Sequence, residues 1–224
     1  MNRPVEPEVG IGGSQMNEYP SVGARIKARG AEVLTATPSR VLGLLAFTFV
    51  FTAVGAVVGS SIGRAALLPG IIAGFATLMA LLGLRERSPI NLGLLYAFGA
   101  LEGVVLGVVL DAYVARGLSG AIFQAAVTTA GVTLVAGAYG ATTKRDLTWM
   151  GNILFTGLVS VIVASVLGIV SSVLFTGYII YDMQQVVAAK NATEGDAILF
   201  AVNIYLDILN LFLNLLQLLG GGDD

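Results

Sequence analysis

The chain contains no cysteine and no histidine. Those absences exclude a disulfide framework, a thiol nucleophile, Cys or His metal sites, a serine–histidine triad and a histidine pH switch. Carboxylates are left as the side chains able to sense pH near neutrality, and only where burial perturbs them. Charge is scarce as well, with 12 Lys and Arg and 14 Asp and Glu in 224 residues, or 12% of the chain against about 25% in a water-soluble domain. A net charge of -2 supplies neither a basic field for nucleic acid nor strong acidity. What is present instead is 56% hydrophobic residues and a mean hydropathy of +0.85, the composition of a membrane protein.

Residues 1–38 are rich in Gly, Pro, Ser and Asn and have no hydrophobic period before Val22, so they read as a flexible tail. No short apolar segment with a small-residue cleavage site precedes Val41, and a signal peptide is not expected. Within the tail, Val22, Ile26, Val33 and Leu34 against Arg25, Lys27 and Arg29 suit either a short helix on an anionic surface or a basic flank that sets topology. Thr37 and Pro38 read as an N-cap and first-turn pair. Residues 39–220 are expected to form a transmembrane helix bundle, and 221–224 a short C-terminal tail.

Apolar blocks follow at about 41–60, 66–84, 90–110, 119–141 and 197–219, each near the roughly 20 residues that cross the hydrocarbon core as helix. A longer block starts at Trp149. Its 33 residues to Tyr181 make about 50 Å of helix, too long for one span and too short for two. Extended to Ala189 it reaches 41 residues or about 61 Å, enough for two spans joined near Gly168, which places Asp182 inside the membrane. The expected fold is therefore all-α, about seven transmembrane helices. An inner N-terminus puts Arg3, Arg25, Lys27, Arg29, Arg40, Arg85, Arg87, Lys144 and Arg145 on the inner side, against Arg64 and Arg116 outside.

The last span carries Asn203, Asp207, Asn210, Asn214 and Gln217 at spacings of 4, 3, 4 and 3, one polar stripe on an otherwise apolar helix. Such a stripe must face protein or water, so the last helix is expected to be central. The amides read equally as interhelical hydrogen-bond glue or as part of an ion path. Counting from the inner ends, Asp207 lies ten residues, about 15 Å, and Asp182 seven residues, about 10 Å, into their helices. The two carboxyls are thus able to meet, and a pair so placed would share a proton and titrate as one unit. Glu102 lies at similar depth in the third span, either on an ion path or as a neutral interface carboxyl; Gly99, Gly103 and Gly107 beside it form a small-residue face for close helix contact. Tyr178 is one turn from Asp182, whereas Tyr181 reads as an interfacial anchor. Asp146 or Thr148 is expected to cap the fifth helix, and Glu194 and Asp196 suit the positive end of the seventh.

The segments KRDLTWMG at 144–151, FTGYIIYDMQ at 175–184 and IYLDILNLFLNLLQLLG at 204–220, with ALEG at 100–103, resemble the Bax inhibitor-1 or transmembrane Bax-inhibitor-motif family, most closely its bacterial branch. The resemblance covers the chain from about Arg40 onward. It implies a seven-helix bundle with the last helix in the centre, acting as a pH-sensitive calcium leak. It also implies that Asp182 and Asp207, one in each of the last two helices, are the pH-sensing and gating pair. In the family a basic residue in the second span latches the closed state; here Arg85 and Arg87 stand at the inner end of that span.

The leading expectation is passive, pH-regulated calcium flux without enzymatic activity or cofactor. Calcium prefers six to eight oxygens, so Asp182 and Asp207 would bind it weakly, completed by Asn210, carbonyls and water. The main alternative is a membrane interaction protein that modulates a membrane-bound protease through its tail. A third is a proton-coupled transporter relaying protons through Glu102, Asp182 and Asp207. The expected surroundings are a bacterial inner membrane with the N-terminus cytoplasmic, and the oligomeric state is left open.

Overall fold

The computed structural model describes residues 38–164 and 168–221, with side chains described outside 158–168. The expected tail, its amphipathic segment and the Thr37 cap fall outside these residues, as does the expected junction between the fifth and sixth helices. All regular structure among the described residues is helical: α1 (Pro38–Ile62), a 3-10 turn (Gly63–Ala66), α2 (Leu67–Leu84), α3 (Ile90–Ala115), α4 (Ser119–Thr142), α5 (Thr148–Ala164), α6 (Gly168–Ala188) and α7 (Glu194–Leu219). Helices satisfy every interior backbone group within the segment, which hydrocarbon surroundings require. Four stretches are long and apolar enough to cross a membrane: Pro38–Leu84, Ile90–Ala115, Ser119–Thr142 and Glu194–Leu219.

The first stretch, 47 residues or about 70 Å if straight, is folded back at the 3-10 turn, where Gly63 takes a φ of +73°. Residue pairings show the reversal. Thr48, Thr52 and Ala56 of α1 meet Gly99, Gly103 and Gly107 of α3 in ascending order, so the two helices run parallel. Gly70 and Gly74 of α2 meet Val105 and Glu102 in descending order, so α2 is antiparallel to α3. The α1–α3 contact is the most extensive in the bundle. It is backbone against backbone, because a Cβ at Gly55, Gly59, Gly103 or Gly107 would strike the main chain of the partner helix.

In the other half, Gly151 faces Tyr181 and Gly157 faces Leu174, which makes α5 antiparallel to α6. α7 packs against α1, α3, α4 and α6 and is the most buried of the four apolar stretches. Its inward face supplies Ile198, Tyr205, Leu211 and Leu216 to the core. Tyr205 is fully enclosed, its ring between Phe49 and Phe98 at centroid distances of 5.1 and 5.9 Å and its hydroxyl 2.9 Å from the Thr52 hydroxyl. Large apolar side chains such as Phe47, Phe75, Phe123 and Leu134 point outward and are exposed, a surface suited to lipid rather than water.

Candidate functional site

α6 carries Asp182 and α7 carries Asp207, and both are buried, at 8% and 7% exposure. The two carboxyls lie within hydrogen-bonding reach of each other. Two carboxyls can touch in an apolar interior only with a proton or a cation between them, because two bare charges there would repel at full strength. The second oxygen of Asp207, Oδ2, is buried and has no hydrogen-bond partner among the described residues. Tyr178, one turn from Asp182, lies within electrostatic reach of both carboxyls. Ile179 and Leu211 pack next to the pair and are almost completely buried, which keeps the surroundings apolar.

The polar stripe of α7 is not covered along its whole length. Asn203 and Gln217 are exposed, so of the protein or water that the stripe was expected to face, these two do not face protein. Burial along a stripe follows where neighbouring helices cross, and α6 covers the turn at Asp207 without covering those two. Asn210 and Asn214 are half-buried, and each donates its amide to its own helix, to the Leu206 and Asn210 carbonyls at 2.7 Å. They act within α7 rather than as glue between helices. Glu102 is half-buried on the α2 side of α3, where a Cβ at Gly74 would lie 3.1 Å from its carboxylate. Asp182 and Asp207 interact with each other and not with Glu102, which lies instead within electrostatic reach of Tyr205.

Nearer the start of α7, polar contacts tie three elements together. Arg40 of α1 pairs with Glu194 of α7 at 3.0 Å, and the Thr193 hydroxyl donates to Glu86 of the α2–α3 turn at 3.2 Å. Thr193 and Asp196 form a reciprocal capping box at the start of α7. On the other side of α6, Gln184 accepts from the Leu147 backbone N–H at 3.1 Å and donates to the Arg145 carbonyl, so the 144–148 loop is fastened two residues from Asp182. In that loop the Thr148 hydroxyl, and after it the Thr148 backbone N–H, hold the Asp146 carboxyl below the usual carboxylate range.

This arrangement, a buried aspartate pair shared by the last two helices of an apolar bundle, coincides with a match over all of the described residues. The family profile described as "Inhibitor of apoptosis-promoting Bax1" matches residues 34–224. The chain belongs to this family. Relatives of the Bax1 inhibitor family include an uncharacterized Helicobacter pylori protein, 34% identical over 162 residues, 66% of this chain and 69% of the relative. An uncharacterized membrane protein of Vibrio cholerae is 30% identical over 193 residues, 79% of this chain and 85% of the relative. A Golgi anti-apoptotic protein of vaccinia virus is 32% identical over 148 residues, 60% of each chain. The chain is thus a helical membrane protein of the Bax1 inhibitor family.

Arg85, at the inner end of the second helix, turns to the adjacent Glu86 at 3.7 Å. Sequence reasoning also missed Arg40–Glu194, Thr52–Tyr205 and the role of Gln184. Only the capping box had a local signal, the T-E-G-D spacing at 193–196. The other three join residues far apart in the chain, and nothing local marks them.

Proposed function

We propose that the protein is a seven-span channel that leaks calcium passively, gated by the Asp182–Asp207 pair. The observation that carries the reading is the placement of two buried carboxyls from adjacent helices within hydrogen-bonding reach of each other, with Asp207 Oδ2 left without a partner among the described residues. A proton between the carboxyls favours the observed packing of α6 on α7. Its loss places two negative charges together at membrane depth and favours either separation or a cation in its place, so pH biases two packings of the same helices. Two carboxylates are few for a calcium site, and binding is weak and suited to passage rather than storage.

Seven spans are supported by the helix directions: α1 and α3 run parallel with α2 reversed between them, and α5, α6 and α7 alternate. The charge asymmetry supports an inward N-terminus, and the bacterial relatives support the inner membrane of a bacterium. No catalytic chemistry or cofactor is part of this reading. The test is calcium flux into dye-loaded liposomes carrying the wild type, Asp182→Asn or Asp207→Asn. Loss of pH dependence in either variant is expected; unchanged flux with unchanged pH dependence in both sinks the proposal.

The anti-apoptotic viral relative favours a second reading, a membrane interaction protein that acts on a partner such as a membrane-bound protease. Removal of residues 1–36 separates the two, since it abolishes partner regulation and leaves flux intact if the tail is the contact. A proton-coupled transporter is less well supported, because the relay needs Glu102 and the aspartate pair has its partners elsewhere.

A further inference from the structure

Arg64 and Arg116 are the two basic residues that the charge count sets at the end of the bundle opposite the others. Arg64 stands on the 3-10 turn between α1 and α2, and Arg116 caps the C-terminus of α3, its N–H returning to the Tyr113 and Val114 carbonyls. The turn packs against α3, and the two arginines line one cavity of about 210 Å³. Its other walls are apolar or aromatic: Leu67, Val108, Val109 and Tyr113. Among the described residues neither guanidinium has a carboxylate within ion-pair distance; the two ion pairs present, Arg40–Glu194 and Arg85–Glu86, lie at the opposite end. Two permanently ionised groups therefore line one cavity where the spans end, with no carboxylate in ion-pair distance among the described residues.

We propose that this cavity binds the phosphodiester of an anionic phospholipid. A guanidinium offers a planar fork that matches two phosphate oxygens, and two forks from different elements suit a single anion between them. The ends of the spans lie at the level of lipid phosphates. The Leu67, Val108 and Val109 walls lead from the arginines along α2 and α3 into the apolar part of the bundle, where an acyl chain would lie. A net negative headgroup is favoured over a zwitterionic one, whose own cation would be brought towards the arginines. The site is separate from the aspartate pair, and the proposal does not depend on calcium flux.

Native mass spectrometry of the full chain, purified in detergent and supplied with phosphatidylglycerol, phosphatidylcholine or inorganic phosphate, tests it. The wild type is expected to retain phosphatidylglycerol in preference to phosphatidylcholine, and Arg64→Gln and Arg116→Gln each to weaken that retention about fivefold, the worth of one basic residue near an anionic surface. Arg64→Lys and Arg116→Lys keep the charge without the fork and are expected to fall between. Arg85→Gln, at the other end, is expected to change nothing. Equal retention of both lipids by the wild type, or full retention by the double Gln variant, overturns the proposal. Displacement of the lipid by inorganic phosphate at equal concentration would assign the site to a free anion and overturn the lipid source. Retention that appears only in Asp223→Asn/Asp224→Asn would assign it to the chain's own acidic residues, with the same consequence.

Discussion

Replacing Gly103 by alanine tests whether the bundle is held by backbone contact between α1 and α3. The added Cβ would lie 2.8 Å from the Thr52 Cα and carbonyl carbon, both main-chain atoms that no rotamer change can move. Carbon atoms settle at about 3.5–4.0 Å, so α1 must retreat by roughly 1 Å. The retreat loosens the matching contacts of Gly107 with Ala56 and of Gly99 with Thr48, because the three are in register on one face. Overpacking of this kind costs about 1–3 kcal/mol, and the better helix propensity of alanine returns up to about 1 kcal/mol. The same exchange at Gly131 of α4, where nothing lies within 4 Å, has the gain without the clash. The two variants should therefore differ by about 1–3 kcal/mol, with Gly103→Ala the less stable. Unfolding in increasing SDS, followed by far-UV circular dichroism, measures the difference. A Gly103→Ala protein as stable as Gly131→Ala would refute close backbone packing at this interface.

Thr52→Val should cost more than Tyr205→Phe, by about 1 kcal/mol, because it leaves the buried tyrosine hydroxyl without a partner, whereas the Thr52 hydroxyl keeps its bond to the Thr48 carbonyl at 2.9 Å when Tyr205 is changed. The same unfolding assay ranks the two, and the reverse order contradicts the pairing. Thr148→Val removes the first cause of the lowered Asp146 carboxyl, which should then titrate closer to its ordinary value by carboxyl-carbon NMR. A carboxyl lowered in the folded chain contributes stability that is present above its ordinary value and lost as pH falls through the lowered one, so the variant should lose less on acidification. An unchanged Asp146 titration would show that the hydroxyl is not the cause.

Most helix positions were legible before any tertiary structure. The blocks expected at 90–110, 119–141 and 197–219 correspond to Ile90–Ala115, Ser119–Thr142 and Glu194–Leu219, differing by a few residues at their ends, where at the start of the last helix a capping box extends it. The Gly99, Gly103, Gly107 face was legible as a close-contact surface, since only glycine at every fourth residue lets two backbones touch. Its partner was not, because Thr48, Thr52 and Ala56 carry no mark that distinguishes them from the rest of α1. Asp182 and Asp207 were placed at compatible depth by counting 1.5 Å per residue, a quantity that depends on one helix at a time.

The sequence by itself determined the solvent, the helical class and the short set of ionisable groups left at depth, because transfer to hydrocarbon and helix rise are properties of residues and segments taken singly. Only the tertiary structure decided that Asp182 touches Asp207 while Glu102 lies against Gly74, that Asn203 and Gln217 remain uncovered on the same stripe as a buried aspartate, and that Arg64 and Arg116 share a cavity. Those outcomes depend on the rotation and crossing of each helix against its neighbours, and these are set by interlocking surfaces drawn from distant parts of the chain.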